Sequence, residues 1–211
     1  MRMKAGEQAG FGLLLRALGG EPARLGDTLY CTAPTAGLRL SGRLTGCAIV
    51  CPAEAAPGGE ELRLLACPNA GGAGTAEEVR GMDGLQELYR LYTACGMELP
   101  AFDQFYVELF HRLKAGSARL RCLREAGAVT AAAGTLFESR DAALLWGVAV
   151  QPGLQGRGLG RQVVLALCRE LLREGRKPLV LCAPGTAGFY RALGFEGEER
   201  LRRISPDARH A

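Results

Sequence analysis

Histidine and asparagine are nearly absent from this 211-residue chain, which has two histidines, His111 and His210, and one asparagine, Asn69. No C-x-x-C pair occurs, and Cys47 and Cys51 form only one loose pair, so no zinc site is expected. A papain-like thiol protease needs a cysteine, a histidine and usually an asparagine together in space. Because Asn69 lies in a stretch rich in Pro and Gly, the sequence disfavours that class as well.

Long apolar runs are also missing. The first apolar run, 13–15, is broken by Arg16, so neither a signal peptide nor a membrane span is expected. Without a secretory signal, the 8 cysteines are expected to be reduced and mostly buried, and the expected location is the cytoplasm. The net charge of +4 comes from 26 basic and 22 acidic residues that are spread along the chain, so nucleic acid is not a favoured partner. Without an apolar span, no membrane partner is expected either.

Glycine, by contrast, is abundant and clustered. Two breaker-rich stretches, 52–60 and 68–84, interrupt the first half of the chain, and the second predicts a domain boundary. We therefore expect an N-terminal α/β segment over 1–75, to which no motif assigns a function, and a second domain over 76–211.

Hydrophobic periodicity predicts the elements of both parts. The first part is predicted to contain a helix over 11–18 and strands over 28–32, 38–50 and 61–67. The second part is predicted to contain, in order, two helices over about 83–96 and 102–116, three strands over 118–124, 128–137 and 142–150, a helix over 159–175, a strand over 179–183, a short helix over 186–193 and a final strand after 197.

The most informative stretch is 148–161, V-A-V-Q-P-G-L-Q-G-R-G-L-G-R, an apolar strand that breaks into a glycine-rich turn and opens a helix. Gly156, Gly158 and Gly160 can adopt backbone angles closed to other residues and leave room for consecutive N–H groups to converge on an anion. The helix start adds a partial positive charge. This architecture therefore predicts a phosphate-binding loop.

The spacing of the loop discriminates among phosphate-binding motifs. Arg161 stands where the third glycine of a dinucleotide fingerprint belongs, and no Gly-Lys-Ser or Gly-Lys-Thr of a Walker loop occurs. The pattern Q-x-x-G-x-G over 155–160 instead resembles the acyl-CoA pyrophosphate loop of the GCN5-related N-acetyltransferase (GNAT) family. Downstream, G-F-Y-R-A-L-G-F over 188–195 resembles the second family signature, in which a tyrosine near the thioester sulfur precedes a Gly-Phe pair.

The predicted element order is similar to the GNAT core from its first helix onward, over residues 83 to about 204. The resemblance implies an α/β (α+β) fold, with a GNAT-like mixed, mostly antiparallel sheet flanked by helices. The family's first strand would have to come from upstream, with 61–67 as the expected donor. The N-terminal part is therefore expected either to complete the sheet or to form a degenerate second GNAT-like lobe.

The resemblance also implies acetyl-CoA as the acetyl donor, with no metal. Backbone N–H groups of the loop would hold the pyrophosphate, and the strand end 148–150 would pair with the pantetheine arm and point an N–H at the acetyl carbonyl. The cofactor-binding residues implied in this way are Val148, Ala149, Val150, Gln155, Gly156, Arg157, Gly158, Leu159, Gly160, Arg161, Phe189 and Tyr190.

Tyr190 matches the family tyrosine that protonates the leaving thiolate. A thiol with a pKa of about 8.5 needs little help from a phenol, so loss of the hydroxyl should lower turnover rather than abolish it. No base is obvious: Glu138 is the first candidate, Glu108 and His111 are weaker ones, and water ordered by backbone carbonyls competes equally. The family's acceptor pocket would involve 96–106 and the neighbourhood of Glu138.

These expectations combine into an N-acetyltransferase that passes acetyl directly from acetyl-CoA to an amine of a small molecule or peptide, with a homodimer left open. A catalytically silent acyl-CoA-binding module is the first alternative. A nucleotide-binding oxidoreductase is the second, and the missing third glycine argues against it.

Overall fold

The computed structural model describes residues 9–18, 23–25, 28–32, 48–56, 58–71 and 75–206. Contacts divide the chain into two compact units, one within 1–66 and 179–211 and the other within 67–178. The division into independent domains 1–75 and 76–211 stays a prediction.

The helices and strands alternate along the chain. In order they are α1 (Ala9–Ala17), β1 (Ala23–Leu25), β2 (Thr28–Tyr30), β3 (Ala48–Pro52), β4 (Glu60–Ala66), β5 (Glu77–Glu78), α2 (Gly81–Ala94), α3 (Phe102–Lys114), β6 (Leu120–Glu125), β7 (Ala128–Glu138), β8 (Ala142–Val150), α4 (Leu159–Arg173), β9 (Lys177–Cys182), α5 (Pro184–Ala192) and β10 (Glu196–Ile204). Within the described ranges, none of these helices combines the length and the apolar character needed to cross a membrane.

In the unit within 67–178, four antiparallel strands pair in the order β5, β6, β7, β8. Side chains alternate between the two faces of this sheet, because successive residues of a strand point to opposite sides. Leu120 and Cys122 pack in one core with α2 and α3. Arg121, between them, pairs with Glu170 of α4. Helices α2 and α3 therefore cover one face, and α4 covers the other.

The predicted elements of this unit are confirmed, with ends shifted by a few residues. Helices α3 and α4 end where glycine predicts, since Gly116 and Gly175 adopt left-handed φ values of 65° and 77° just past the last helical turn. The expected donor of the first strand is wrong. Strand β5 pairs with β6, whereas 60–66 forms β4 in the other unit. A two-residue strand inside a breaker-rich stretch is too short to produce a recognisable alternation.

In the unit within 1–66 and 179–211, the strands lie in the order β1, β2, β3, β10, β4, β9. Only β2 and β3 pair in parallel among the described strands of this unit. Strand β10 lies between two N-terminal strands, and its Leu201 is 1% exposed. N-terminal strands thus extend the sheet on both sides of β10. The predicted strand over 38–50 is described only from Ala48 onward, and the degenerate second lobe stays a prediction.

Candidate functional site

Strand β8 contains a β-bulge shortly before its end. Ala149 pairs with Ala132 and Trp146 pairs with Gly134, so two residues of β8, Gly147 and Val148, stand opposite one residue of β7. Gly147 has a φ of 65°, which a side chain would strain. Bulges bend a strand and recur beside active sites. The sequence signal that indicates this bulge is the lone glycine inside a strand pattern.

Tyr92 of α2 lies directly beneath the bulge. A Cβ built on Gly147 would stand 2.8 Å from Tyr92 Cζ and closer still to Oη. The Tyr92 side chain is completely buried, and its hydroxyl has no hydrogen-bond partner within the described part of the chain. Burial raises the pKa of the Tyr92 phenol, which therefore stays neutral. The ring of Trp146 packs edge-on against Tyr92, with centroids 5.3 Å apart.

Backbone and side-chain hydrogen bonds fix the exit of the chain from β8. The Gln151 N–H donates to Thr130 O at 2.8 Å, and the Leu154 N–H donates to Gln151 O at 3.0 Å. From α2, the Cys95 thiol donates to Val150 O at 3.3 Å. These bonds hold the strand end that is predicted to pair with the pantetheine arm. The chain then passes directly into the glycine-rich loop.

The loop presents a row of backbone donors. The N–H groups of residues 156–160 have no hydrogen-bond acceptor among the described residues. Gly156 and Gly158 adopt left-handed φ values of 78° and 81°, and a Cβ on either would stand in open space. Gly158 is the N-cap of α4. Consecutive free N–H groups at a helix start form a concave anion site, which the helix dipole reinforces.

Gly160 plays a different part from the one expected. It is the second residue of α4, buried within the helix, and its φ is not left-handed. Arg157 and Arg161 are exposed on the loop and on the first turn of α4, where they add two positive charges. The first turn carries no acidic residue that would oppose an anion.

Glu138 lies in a buried ion network instead of an open site. Its carboxylate, 1% exposed, accepts hydrogen bonds from Arg119 Nε at 2.7 Å and from Arg119 Nη2 at 2.8 Å. Arg176 and the hydroxyl of Thr135 bind the same carboxylate. Arg119 also contacts Glu174 of α4 at 2.7 Å. Four donors thus occupy the lone pairs that a general base would need.

The position of Glu138 also argues against a role as the general base. It pairs with Ala143 at the start of β8. Val148 lies five positions after Ala143, which corresponds to roughly 17 Å along a strand. Through Arg119 and Glu174, Glu138 also belongs to the α4 face, whereas Trp146 belongs to the face of α2 and α3. We therefore do not retain Glu138 as the base. Sequence could not reveal this network, since its members lie up to 55 residues apart.

The other predicted catalytic groups lie on helices. Glu108 and His111 are exposed on α3, and Glu108 accepts a hydrogen bond from Gln104 at 3.1 Å. Tyr190 is buried on α5, with ring centroids 5.1 Å from Phe189 and 5.3 Å from Phe195. Phe189 is 38% exposed. Helix α5 belongs to the unit with the N-terminal strands, so the cofactor contacts of this pair stay predictions. Among the described residues, no cluster of three or more His, Cys, Asp or Glu could hold a metal ion.

A mostly antiparallel sheet with helices on both faces, and a bulged strand leading into an amide nest at a helix start, define an acyltransferase-type fold. Residues 123–204 match the family model described as FR47-like protein. A putative acetyltransferase of the GNAT family from Novosphingobium aromaticivorans superposes with a TM-score of 0.62 at 17% identity, over 94% of this chain and 96% of that one. Residues 123–204 are therefore similar to this family, and the chain has the fold of the GNAT structure.

Curated relatives match over shorter segments. Serotonin N-acetyltransferase 2, chloroplastic, from Oryza sativa subsp. japonica is 46% identical over 54 residues, which are 25% of this chain and 27% of that protein. Histone acetyltransferase TAP1 from Glycine max is 42% identical over 57 residues, or 26% and 25% of the two chains. The chain thus aligns with about a quarter of the length of each.

Proposed function

We propose that this protein is an N-acetyltransferase that passes acetyl from acetyl-CoA directly to an amine of a small molecule or peptide. The amide nest at the end of the bulged strand carries this proposal. The names of the two relatives point to acceptors of very different size, and the proposal covers both.

The loop supplies the cofactor site. A pyrophosphate in the nest would accept hydrogen bonds from the free N–H groups of 156–160, and Arg157 and Arg161 would offset part of its charge. The pantetheine arm contains amides, and it can add to the edge at 148–150 as an extended peptide adds to a sheet. The loop follows this strand end directly, so one extended ligand can contact both the loop and the strand end.

The chemistry is a direct transfer. The acceptor nitrogen, as the free amine, attacks the thioester carbon while the C–S bond breaks and the sulfur leaves as a thiolate. A backbone N–H beyond the bulge stabilises the charge that develops on the acyl oxygen, a contribution worth roughly 10²–10³-fold in other enzymes. Tyr190 gives its proton to the thiolate, and the proton lost by the amine passes to water.

The test is the release of free CoA, measured with a thiol reagent while acetyl-CoA and a panel of primary amines are mixed with the protein. CoA release that depends on an amine supports the proposal. Tyr190→Phe should lower kcat by about tenfold, with little change in the KM for acetyl-CoA, because a phenol gives a thiolate only modest help. Tyr30→Phe, which removes a hydroxyl from buried Tyr30 of β2, is the control and should retain kcat at a temperature where it is folded.

A silent acyl-CoA-binding module is the second candidate. The observation that favours it is the engagement of Glu138, which leaves the predicted base without a free lone pair. Such a module would bind acetyl-CoA and release no CoA with any amine. The same assay, run together with a binding titration, therefore separates the two functions.

A further inference from the structure

The loop between α2 and α3 lies beside the end of β8. Cys95, the C-cap of α2, donates its thiol to Val150 O at 3.3 Å, and the Met97 N–H donates to Tyr92 O at 3.0 Å. The Tyr89 hydroxyl holds the far end of the loop by donating to Pro100 O at 3.0 Å. Residues 96–101 are thus a fixed wall on the α2 and α3 face, next to the strand end where the acyl group is proposed to lie.

The side chains on this wall and directly beside it include apolar and aromatic groups. Met97, Leu99, Phe102 and Trp146 are partly buried and pack against the same core, so each keeps some surface open beside that core. Trp146 directly precedes the bulge residue Gly147. Aromatic rings with an open face bind apolar or aromatic groups through area and ring geometry. A ligand body placed against this wall would therefore gain most from being apolar.

The charge of the same segment has one sign. Residues 96–110 contain three carboxylates, Glu98, Asp103 and Glu108, all exposed, and no Lys or Arg. The cationic side chains of α3 come only in its last turn. Arg112 is the first Lys or Arg past the segment, and it lies nine residues after Asp103, which corresponds to about 14 Å along the helix. Arg112 itself donates to Leu136 O at 2.8 Å. The segment 96–110 therefore carries a net negative charge, which favours cations over anions beside it.

We propose that the acceptor is a primary amine with an aromatic or apolar body and no anionic group. This inference rests on the proposed function and names the substrate class of that site. The exposed carboxylates favour approach of the protonated amine, which loses its proton to water before its nitrogen attacks the thioester carbon. An acceptor that carries a carboxylate or a phosphate beside its amine would be repelled by Glu98 and Asp103, and residues 96–110 contain no Lys or Arg to balance its charge.

Three commercially available amines test the proposal. Phenethylamine and phenylalanine differ by one carboxylate, and phenethylamine and ethylamine differ by the aromatic ring. With acetyl-CoA saturating, kcat/KM for phenethylamine should exceed that for each of the others at least tenfold. A value for phenylalanine or for ethylamine equal to or above that for phenethylamine would overturn the proposal.

Charge-reversal variants test whether the carboxylate of Glu98 sets this preference. Glu98→Lys should lower the ratio of kcat/KM for phenethylamine to kcat/KM for phenylalanine by about threefold or more. Added salt should lower the same ratio in the wild type. Asp141→Lys is the control, since Asp141 is exposed in the turn before β8, at the far end of that strand from Val150. It should leave the preference unchanged. An equal effect of both variants would overturn the role of the wall.

A binding titration with acetyl-CoA distinguishes this inference from the function on which it rests. If acetyl-CoA does not bind, both the proposed function and the substrate class are wrong. If acetyl-CoA binds and phenylalanine or ethylamine is the best acceptor of the three, the proposed function stands and the substrate class is wrong. If acetyl-CoA binds and none of the three amines releases CoA, the substrate class is also overturned, and a wider amine panel then decides the function.

Discussion

The hydroxyl of Tyr92 occupies the space that a side chain on Gly147 would need. Gly147 must therefore be glycine for two separate reasons, its left-handed φ of 65° and the tyrosine beneath it. Because Gly147 forms the bulge of β8, the contact fixes the backbone just before the strand end that leads into the anion nest. Tyr92, on α2, thus couples the helical face of the sheet to the proposed acyl site.

Gly147→Ala should destabilise the fold more than an alanine placed at an equally left-handed glycine in open space. Gly116 is the matched control, since its φ is also 65° and a Cβ there would meet nothing within 4 Å. Gly116→Ala should cost about 1 kcal/mol from backbone strain alone. Gly147→Ala should cost about 1–3 kcal/mol more, from overpacking against Tyr92. Urea unfolding measures both, and equal losses would contradict the contact.

Tyr92→Phe should leave the free energy of unfolding unchanged or raise it by about 1 kcal/mol, because it removes a buried hydroxyl that has no partner. Burial raises the pKa of this phenol above its unfolded value of about 10, so its contribution to stability is complete below that pH and declines as pH rises past it. The advantage of the variant should therefore grow between pH 8 and pH 10.5 in urea titrations. A loss of stability in the variant would reveal a partner for the hydroxyl.

Ala126→Gly should stabilise the protein. Ala126 and Gly127 form the tight turn between β6 and β7 with φ values of 49° and 84°, and Ala126 is the one non-glycine residue at positive φ among those described. A turn with two left-handed residues favours Asn-Gly or Gly-Gly. Relief of the strain should add about 0.5–1 kcal/mol to the free energy of unfolding. Ala128→Gly, two residues later at the start of β7, is the control and should destabilise.

Glu138→Gln should lower the free energy of unfolding and leave kcat unchanged. Breaking a buried pair leaves Arg119 and Arg176 facing a neutral side chain, at a cost of roughly 3 kcal/mol. Glu174→Gln is the control, since the Glu174 side chain is 43% exposed and an exposed pair contributes about 0–1 kcal/mol. At a temperature where both variants are folded, kcat and its pH profile should match the wild type. Loss of the acidic limb of that profile in Glu138→Gln would restore the base assignment.

Local sequence signals were enough to predict the three strands β6, β7 and β8, helix α4 and the nest at Gly156 and Gly158. Each of these depends on periodicity or on a glycine at a turn, which neighbouring residues determine. The part of Glu138 was not predictable, because Arg119 and Arg176 reach it only through tertiary packing. The first strand of the sheet was misplaced for a related reason: its two residues pair with β6 across some forty residues of chain, and no local pattern encodes that pairing.

The central claim is that the nest binds acetyl-CoA, and a calorimetric or thermal-shift titration of three proteins tests it most directly. Gly158→Ala puts a Cβ into the open face of the nest, whereas Gly175→Ala has a similar φ and similar open space at the other end of α4. Acetyl-CoA at about 100 times its Kd should stabilise the wild type and Gly175→Ala by about 2.7 kcal/mol each.

Gly158→Ala should weaken acetyl-CoA binding at least tenfold relative to Gly175→Ala, although both variants carry a similar strain of about 1 kcal/mol. NAD and NADPH should give no shift with any of the three proteins. Absence of a shift with acetyl-CoA in the wild type, or a shift only with a dinucleotide, would contradict the account.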